Sequence, residues 1–472
     1  TAASGAGASR LKDINPRLDQ RDDSVAPGVA IGSWLLFGAS DGTVTSGDTH
    51  GKELWRTDGT PAGTQLLMDI AEGNVDGVRA SSNPYHFHAL GTVAVFAVVR
   101  YGNGHTSNEL WRSDGTSAER LATIDDHLSG FVRGITNGLV HDGRLFFTAE
   151  NRSHGRELWV SDGSPAGTMR LTDIAPGNAH AFAKNPAIGR SILVAHDGLV
   201  YFPADDGEGS ALWCSDGSVV GSRRALQINA TGSDRVAHVA AAGGRLFFTA
   251  DDGIHGRELW VSDGSQANTR LVADIRSGAD DSTPEVVGSI GDRVLLLADD
   301  GLHGRELWIS DGTSAGTKRL SDIAPGPASP EILYPVMVGQ QLCFNANDGE
   351  HGRELWISDG TSAGTRMVAD LQPGRSGSDP FTAGGPSDLQ VVIDGTLYFP
   401  ASTPSGCELW SYRPGNGDGT DRLIRLRSDP ADQIIEFERR SDGLRRPSPA
   451  TFSVPSALDA VFRAHGAPSG IN

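Results

Sequence analysis

A stretch of 23 residues, GRELWISDGTSAGTKRLSDIAPG at Gly304–Gly326, recurs along this chain and constrains its fold more than any other feature. Close copies stand at Gly155–Gly177, Gly256–Gly278 and Gly352–Gly374, and looser ones surround Trp55, Trp111, Trp213 and Trp410. The anchor tryptophans at 55, 111, 159, 213, 260, 308, 356 and 410 are separated by 56, 48, 54, 47, 48, 48 and 54 residues. A period near fifty with strand-like content defines an array of repeated units whose core is shared between neighbours. Within one unit the pattern is a meander. Arg293–Ala298 and Glu306–Ser310 are rich in β-branched and large apolar residues, and Gly, Asp and Asn gather between them. In Glu306–Ser310, Leu307 and Ile309 point one way and Trp308 the other, so both faces are apolar. Sheets buried on both faces by their own kind are the blades of a propeller.

The expected fold is therefore all-β: an eight-bladed β-propeller over residues 9–412, closed by an N-terminal strand, with a C-terminal tail containing a short helix. Ser9–Pro16 (SRLKDINP) matches the fourth strand of a repeat but follows no ELW, so it is expected to complete the last blade and remove an open edge. Asp421–Leu426 competes for the same place. Residues 413–472 read as a Gly/Asp-rich linker and a docking tail with a helix at Ser456–His465.

The net charge of −19 disfavours nucleic acid and anionic membrane surfaces as partners. No run of eighteen apolar residues is present, so membrane insertion is not expected. The residues Glu-Leu-Trp with Asp-Gly-Thr at 306–308 and 311–313, and again at 354–356 and 359–361, resemble the bacterial ELWxxDGT repeat family. That resemblance implies a propeller, often secreted or surface-associated, and brings no catalytic set with it. A secreted, periplasmic or cell-surface monomer is the corresponding expectation. The motif departs from the family at Ala211-Leu212-Trp213, where Glu is lost, and at Trp410-Ser411-Tyr412, where the turn is lost.

A motif present in nearly every unit reads as a device for joining blades, with Trp packing between them and Arg305 beside Glu306 tying neighbours by charge-assisted hydrogen bonds. The loops before it hold Asp251, Asp252, Asp299, Asp300 and Asp348, hard oxygen donors that are candidates for calcium, although Asx turns account for the same residues. Chemistry is expected where the repeat is interrupted. Candidate catalytic residues are His86, His88 and Tyr334, and candidate substrate-binding residues are Tyr85, Arg100, Arg133 and Arg190. Two histidines on one side of a strand can move protons or bind a metal. The first functional expectation is an exported propeller that binds a carbohydrate, peptide or cell-surface ligand without catalysis. The alternative is an enzyme, a polysaccharide lyase, hydrolase or biosynthetic tailoring enzyme, with its active site at the central channel.

Overall fold

The computed structural model describes residues 28–40, 50–75, 78–102, 105–128, 134–182, 192–381, 390–404, 406–415, 421–426, 438–440 and 443–445. These residues form eight large antiparallel sheets in chain order, of which the first seven have four strands and the eighth has six, and a two-stranded ribbon, Asn74–Val75 with Val78–Arg79, between the first and second. The sheets span residues 29–68, 85–128, 135–170, 194–224, 237–273, 285–319, 333–369 and 391–445. Each runs as a plain meander, strand after strand, and the one helical element among the described residues is a 3-10 turn at Gln266–Asn268. No helix among them is long and apolar enough to cross a membrane, which leaves strand-built barrels unaddressed.

The chain divides into two compact units with the boundary between Val239 and Ala240, inside the first strand of the fifth sheet. Within the first unit, consecutive sheets share their cores. Leu54 and Ile70 of the first sheet region pack with Phe96 and Val98 of the second. Leu110 packs with Phe147 of the third, and Phe146 with Phe202 of the fourth. The second unit repeats the scheme: Phe247 with Leu296, Leu307 with Phe344, and Cys343 with Phe399. The central strands are accordingly buried on both faces, as in Arg293–Asp299, where Val294 to Ala298 are all buried.

The motif tryptophans do pack between sheets: Trp159, Trp213, Trp308 and Trp356 each lie against a cluster shared with the preceding sheet. The motif arginine behaves differently from expectation. Arg305 bonds Glu285 at 2.5 Å, joining the third and first strands of its own sheet, and Arg353 pairs with Glu331, just ahead of the first strand of the seventh sheet. Neighbouring sheets are instead joined by other arginines that cap the Asp-Gly turn of the next sheet. Arg56 donates to Gly115 O at 2.5 Å, Arg112 to Gly163 O at 2.8 Å and Arg245 to Asp311 O at 2.5 Å.

That turn explains the SDGTSAGT string. Asp311 Oδ1 accepts from Thr313 N and Thr313 Oγ1, Thr313 Oγ1 accepts from Gly316 N, and Ser310 Oγ meets Thr317 Oγ1 at 2.8 Å. Gly312 has φ +82°, a left-handed conformation suited to glycine, and a Cβ on Gly316 would sit 2.1 Å from Asp311 Oδ1.

The eighth sheet corrects one expectation. Its third strand, Gly406–Arg413, pairs along its length with Arg422–Leu426, with Leu409 opposite Leu426 and Arg413 opposite Arg422. The fourth place therefore belongs to a segment that the sequence reading assigned to the tail, so the sheet continues past residue 412. Ser9–Pro16 and the expected helix at Ser456–His465 lie outside the described residues.

Candidate functional site

The repeated Glu of the motif is a buried structural hub. Glu354 lies with no exposed surface on the third strand of the seventh sheet, and its carboxylate accepts from Leu371 N, Gln372 N, Ser378 N and Ser378 Oγ at 3.2, 3.3, 2.9 and 2.5 Å. Glu53 does the same with Ile70, Ala71 and Ser82, and Glu258 with Ile275, Arg276 and Ser282. Glu157 and Glu306 use Thr172 and Ser321 for the hydroxyl. The two ends of the 23-residue repeat are thus one contact, because the carboxylate holds the amides of the DIAPG segment seventeen and eighteen residues on. Burial pushes the carboxyls of Glu53, Glu258 and Glu354 up to about 7 against the pull of those donors.

In the fourth sheet the Glu is replaced by Ala211, and Asp234 fills the same role from the opposite end of the contact. Asp234 is fully buried, and its Oδ1 accepts from Ile228 N at 3.0 Å and Asn229 N at 2.6 Å, again the seventeenth and eighteenth residues after position 211. Its Oδ2 takes Arg224 at 2.8 Å. The motif is broken here while its electrostatics is kept.

The Asp/His loops close on themselves. Asp252 Oδ1 accepts from Ile254 N and His255 N, and its Oδ2 meets His255 Nδ1 at 2.8 Å. Asp300 with His303 and Asp348 with His351 repeat this at 2.8 and 2.7 Å. Asp251 and Asp299 accept from Gly253 N and Gly301 N. Among the described residues no three His, Cys, Asp or Glu side chains converge as a metal-binding group.

A pH dependence follows from these two carboxylate classes. A carboxyl raised on folding favours the folded state below its unfolded pKa, and that stability is lost as pH rises through the folded value. Glu53, Glu258 and Glu354 place that loss between about 4.5 and 7. Asp263 and Asp114 are lowered to about 2 by their turn hydrogen bonds, so their contribution disappears as pH falls below about 4. Thermal melts across pH 3 to 9 are expected to show a maximum near pH 4 to 5. A midpoint that rises steadily to pH 8 would contradict this assignment.

The residues outside the repeat that do gather are on the first strand of the second sheet, Tyr85–Leu90. Tyr85 is buried, and its hydroxyl accepts from Ile135 N at 3.2 Å, pinning the first strand of the second sheet to that of the third. A bulge interrupts the ladder between Tyr85 and His88, and His86 adopts φ +57° there. Bulges with non-glycine residues in this region re-aim side chains at a cost of roughly 1 kcal/mol or more. The rings of His86 and His88 meet edge to face with centroids 4.8 Å apart.

His88 Nε2 is buried and has no hydrogen-bond partner among the described residues. It points at Gly138 of the third sheet, where a Cβ would lie 2.1 Å away. Burial holds the His88 imidazole below its ordinary pKa, so it is neutral at pH 7. The same bulge recurs in the next sheet, between Thr136 and Leu139, with Asn137 at φ +53° and its amide nitrogen donating to Thr148 Oγ1 at 3.0 Å.

The structure thus brings Tyr85, His86 and His88 together. Tyr334 belongs to the other unit and occupies the equivalent bulge of the seventh sheet, with φ +52° and its ring against Phe381. Arg100 lies 3.6 Å from Glu109, an ion pair within the second sheet. Arg133 and Arg190 lie outside the described residues. Sequence reasoning missed Asn137, which sits at a bulge inside the first strand of the third sheet and carries no motif, and Asp234, an acid well down the chain from the lost Glu, near the place where Ser282 and Ser378 stand in the fifth and seventh sheets.

No family model matches the chain, and no curated protein matches it either. Among solved structures, the chain is similar to the β-propeller domain of the Trilobed protease from Pyrococcus furiosus, at 15% identity over 74% of this chain and 99% of that one, with a TM-score of 0.39. It is also similar to a structure from a study of two prolyl endopeptidases, at 14% identity, 90% and 55% coverage and a TM-score of 0.43. A third is a puromycin-hydrolyzing peptidase of Mycobacterium tuberculosis, at 11% identity, 85% and 61% coverage and a TM-score of 0.38. The chain spans 55 to 61% of the length of the last two. These neighbours share a general architecture with it, and all three belong to proteases or peptidases. Beside them, the expectation of a propeller that binds without catalysis is corrected and goes no further.

Proposed function

We propose that this chain is an enzyme of the hydrolase class whose proton-transfer centre is the His86–His88 pair on the first strand of the second sheet. The observation that carries the reading is the buried Nε2 of His88, which has no described partner, on a ring in edge contact with a second histidine held at a left-handed bulge. A buried polar atom left without a bond calls for an explanation, and a neutral imidazole beside a second one is suited to take a proton from water attacking an ester, amide or glycosidic bond. His88 Nε2 would accept that proton, and the pair would return it to the leaving group. Tyr85 holds the strand in place through Ile135. A lyase acting on an anionic polymer is less well supported, because Arg100, the one described arginine of the expected set, is already engaged by Glu109.

The repeats are proposed to place the chain in the ELWxxDGT family, exported and monomeric. The purified protein is expected to hydrolyse at least one member of a panel of chromogenic peptidyl, acyl and glycosyl substrates. The acid limb of kcat/KM should fall below pH 6.5, since His88 is held below its ordinary pKa. An absence of turnover across all three bond classes would overturn the reading.

A further inference from the structure

The third sheet places its motif arginine differently from the sixth. In the sixth sheet Arg305 reaches an acid on the first strand, Glu285, and its side chain is 33% exposed. The register puts Thr136 at the place of Glu285, since Thr136 stands opposite Thr148 as Glu285 stands opposite Leu297. The arginine of the third sheet, Arg156, is only 2% exposed. Its Nη1 donates to Thr136 Oγ1 at 2.7 Å and its Nη2 to Glu150 Oε2 at 3.0 Å. The acid has moved to the second strand, and an uncharged hydroxyl on the first strand now meets the guanidinium.

A guanidinium has hydrogens to give and no lone pair to offer, so it orders the hydroxyls beyond it. Thr136 Oγ1 accepts from Arg156, which turns its own proton towards Thr148 Oγ1 at 2.9 Å, and Thr148 Oγ1 in turn donates to Thr136 O at 3.2 Å. The Asn137 amide nitrogen completes the set, donating to Thr148 Oγ1 at 3.0 Å and to Thr136 Oγ1 at 3.3 Å. Thr148 has no exposed surface, so its hydroxyl depends on this network for its partners. The network encloses the bulge between Thr136 and Leu139, where Asn137 has φ +53°. A non-glycine residue persists in that conformation when its surroundings over-determine it. The next residue is Gly138, which His88 Nε2 approaches so closely that a Cβ there would lie 2.1 Å from it.

We infer that Thr148, with Thr136 and Asn137, is a positioning residue for the histidine pair: the network anchored on Arg156 holds the Gly138 backbone as the wall that fixes the His88 ring. The catalytic consequence rests on the hydrolase reading, and the geometry on the bonds of the third sheet. His88 is carried by the second sheet and Gly138 by the third, so the place of the ring is set by two sheets at once. With the network broken the bulge relaxes, and the ring gains room to turn away from the orientation in which Nε2 takes its proton. Displacements of this kind, about 1 Å at the reacting group, cost up to roughly 10²-fold in rate.

The test replaces Thr148 with valine, which keeps the branched shape and removes the hydroxyl. Its control is Thr249→Val in the fifth sheet, where Thr249 is equally buried and stands opposite Leu259 as Thr148 stands opposite Leu158. On a substrate the parent hydrolyses, Thr148→Val should lower kcat by about 10- to 100-fold with KM little changed, Thr148→Ser should restore most of the loss, and Thr249→Val should leave kcat as it was. A second readout needs no turnover: the NMR titration of the His88 ring in protein labelled at histidine, its signal identified by its loss in His88→Gln. Burial holds this imidazole below its ordinary range, so a loosened wall that admits water should move the titration up in Thr148→Val and not in Thr249→Val. Asn137→Gly, which keeps the left-handed backbone and loses only the amide, should shift it in the same direction and replaces Thr148→Val if that variant does not fold. The inference is overturned if Thr148→Val leaves kcat and the His88 titration as in the parent, if Thr249→Val changes both equally, or if Thr148→Ser restores neither. A parent that hydrolyses nothing removes the hydrolase reading alone, and the titration then decides whether the network positions His88.

Discussion

Replacing Glu354 with leucine is expected to cost the protein about 3 to 5 kcal/mol, enough to unfold a domain of ordinary stability or bring it close to unfolding. The size follows from what the substitution leaves behind. Glu354 is fully buried and satisfies three backbone amides and one hydroxyl, those of Leu371, Gln372 and Ser378. Leucine fits the space but accepts nothing, so those donors lose their acceptor in a closed site, at roughly 1 to 3 kcal/mol for each one that water cannot reach. Glutamine should cost less, because its carbonyl oxygen still accepts while its amide nitrogen faces other donors. Denaturant melts of the two variants check this. Equal, small losses for both would mean that the carboxylate is not the hub.

The second large effect is expected at Asp234, where the loss should be reparable. Asp234→Ser should destabilise by about 2 to 4 kcal/mol, since it removes the acceptor of Ile228 N and Asn229 N and leaves Arg224 without its buried partner. Adding Ala211→Glu to that variant should recover most of the loss. It would restore the arrangement of the fifth and seventh sheets, where Glu258 and Glu354 act from the strand and Ser282 and Ser378 stand in the loop. Ala211→Glu alone should be harmful, because it would place two carboxylates in one buried pocket. A double-mutant cycle reads the coupling directly. Additive losses would show that the two positions do not share a function.

These two sites also mark how far the sequence could be read. The strands of each sheet were legible because β-branched and apolar runs alternate with Asp-Gly and other glycine-containing turns, and the tryptophans announced the packing between sheets. The partner of the motif Glu was not legible. Hydrogen bonds to amides seventeen and eighteen residues away leave no mark on side-chain identity, and the adjacent Arg305 offered a more obvious but incorrect account of how sheets are joined. The edge of the eighth sheet was misassigned for a related reason. SRLKDINP and DRLIRL have the same strand pattern, and pattern alone does not choose between two segments that fit one edge. At the candidate site, the chemistry of His86 and His88 could be named from the sequence. The bulge that sets His86 at φ +57° and brings the rings to 4.8 Å could not, because non-glycine residues give no warning of a left-handed conformation.

The division of labour between repeat and interruption predicts opposite phenotypes. Changes at Glu53, Glu258 or Glu354 should reduce stability and leave the turnover of the surviving folded molecules unchanged. Changes on the Tyr85–Leu90 strand should alter turnover. Gly138 provides a graded case, since Gly138→Ala would push a methyl group towards His88 Nε2 and disturb the pair without removing it.

The most direct measurement is kcat/KM for His88→Gln on whichever substrate the parent hydrolyses, taken with the melting temperature of the same preparation. A fall of about 10² to 10⁴ with the melt unchanged is the predicted result. Undiminished kcat/KM in a folded His88→Gln protein would contradict the placement of the catalytic centre at this pair.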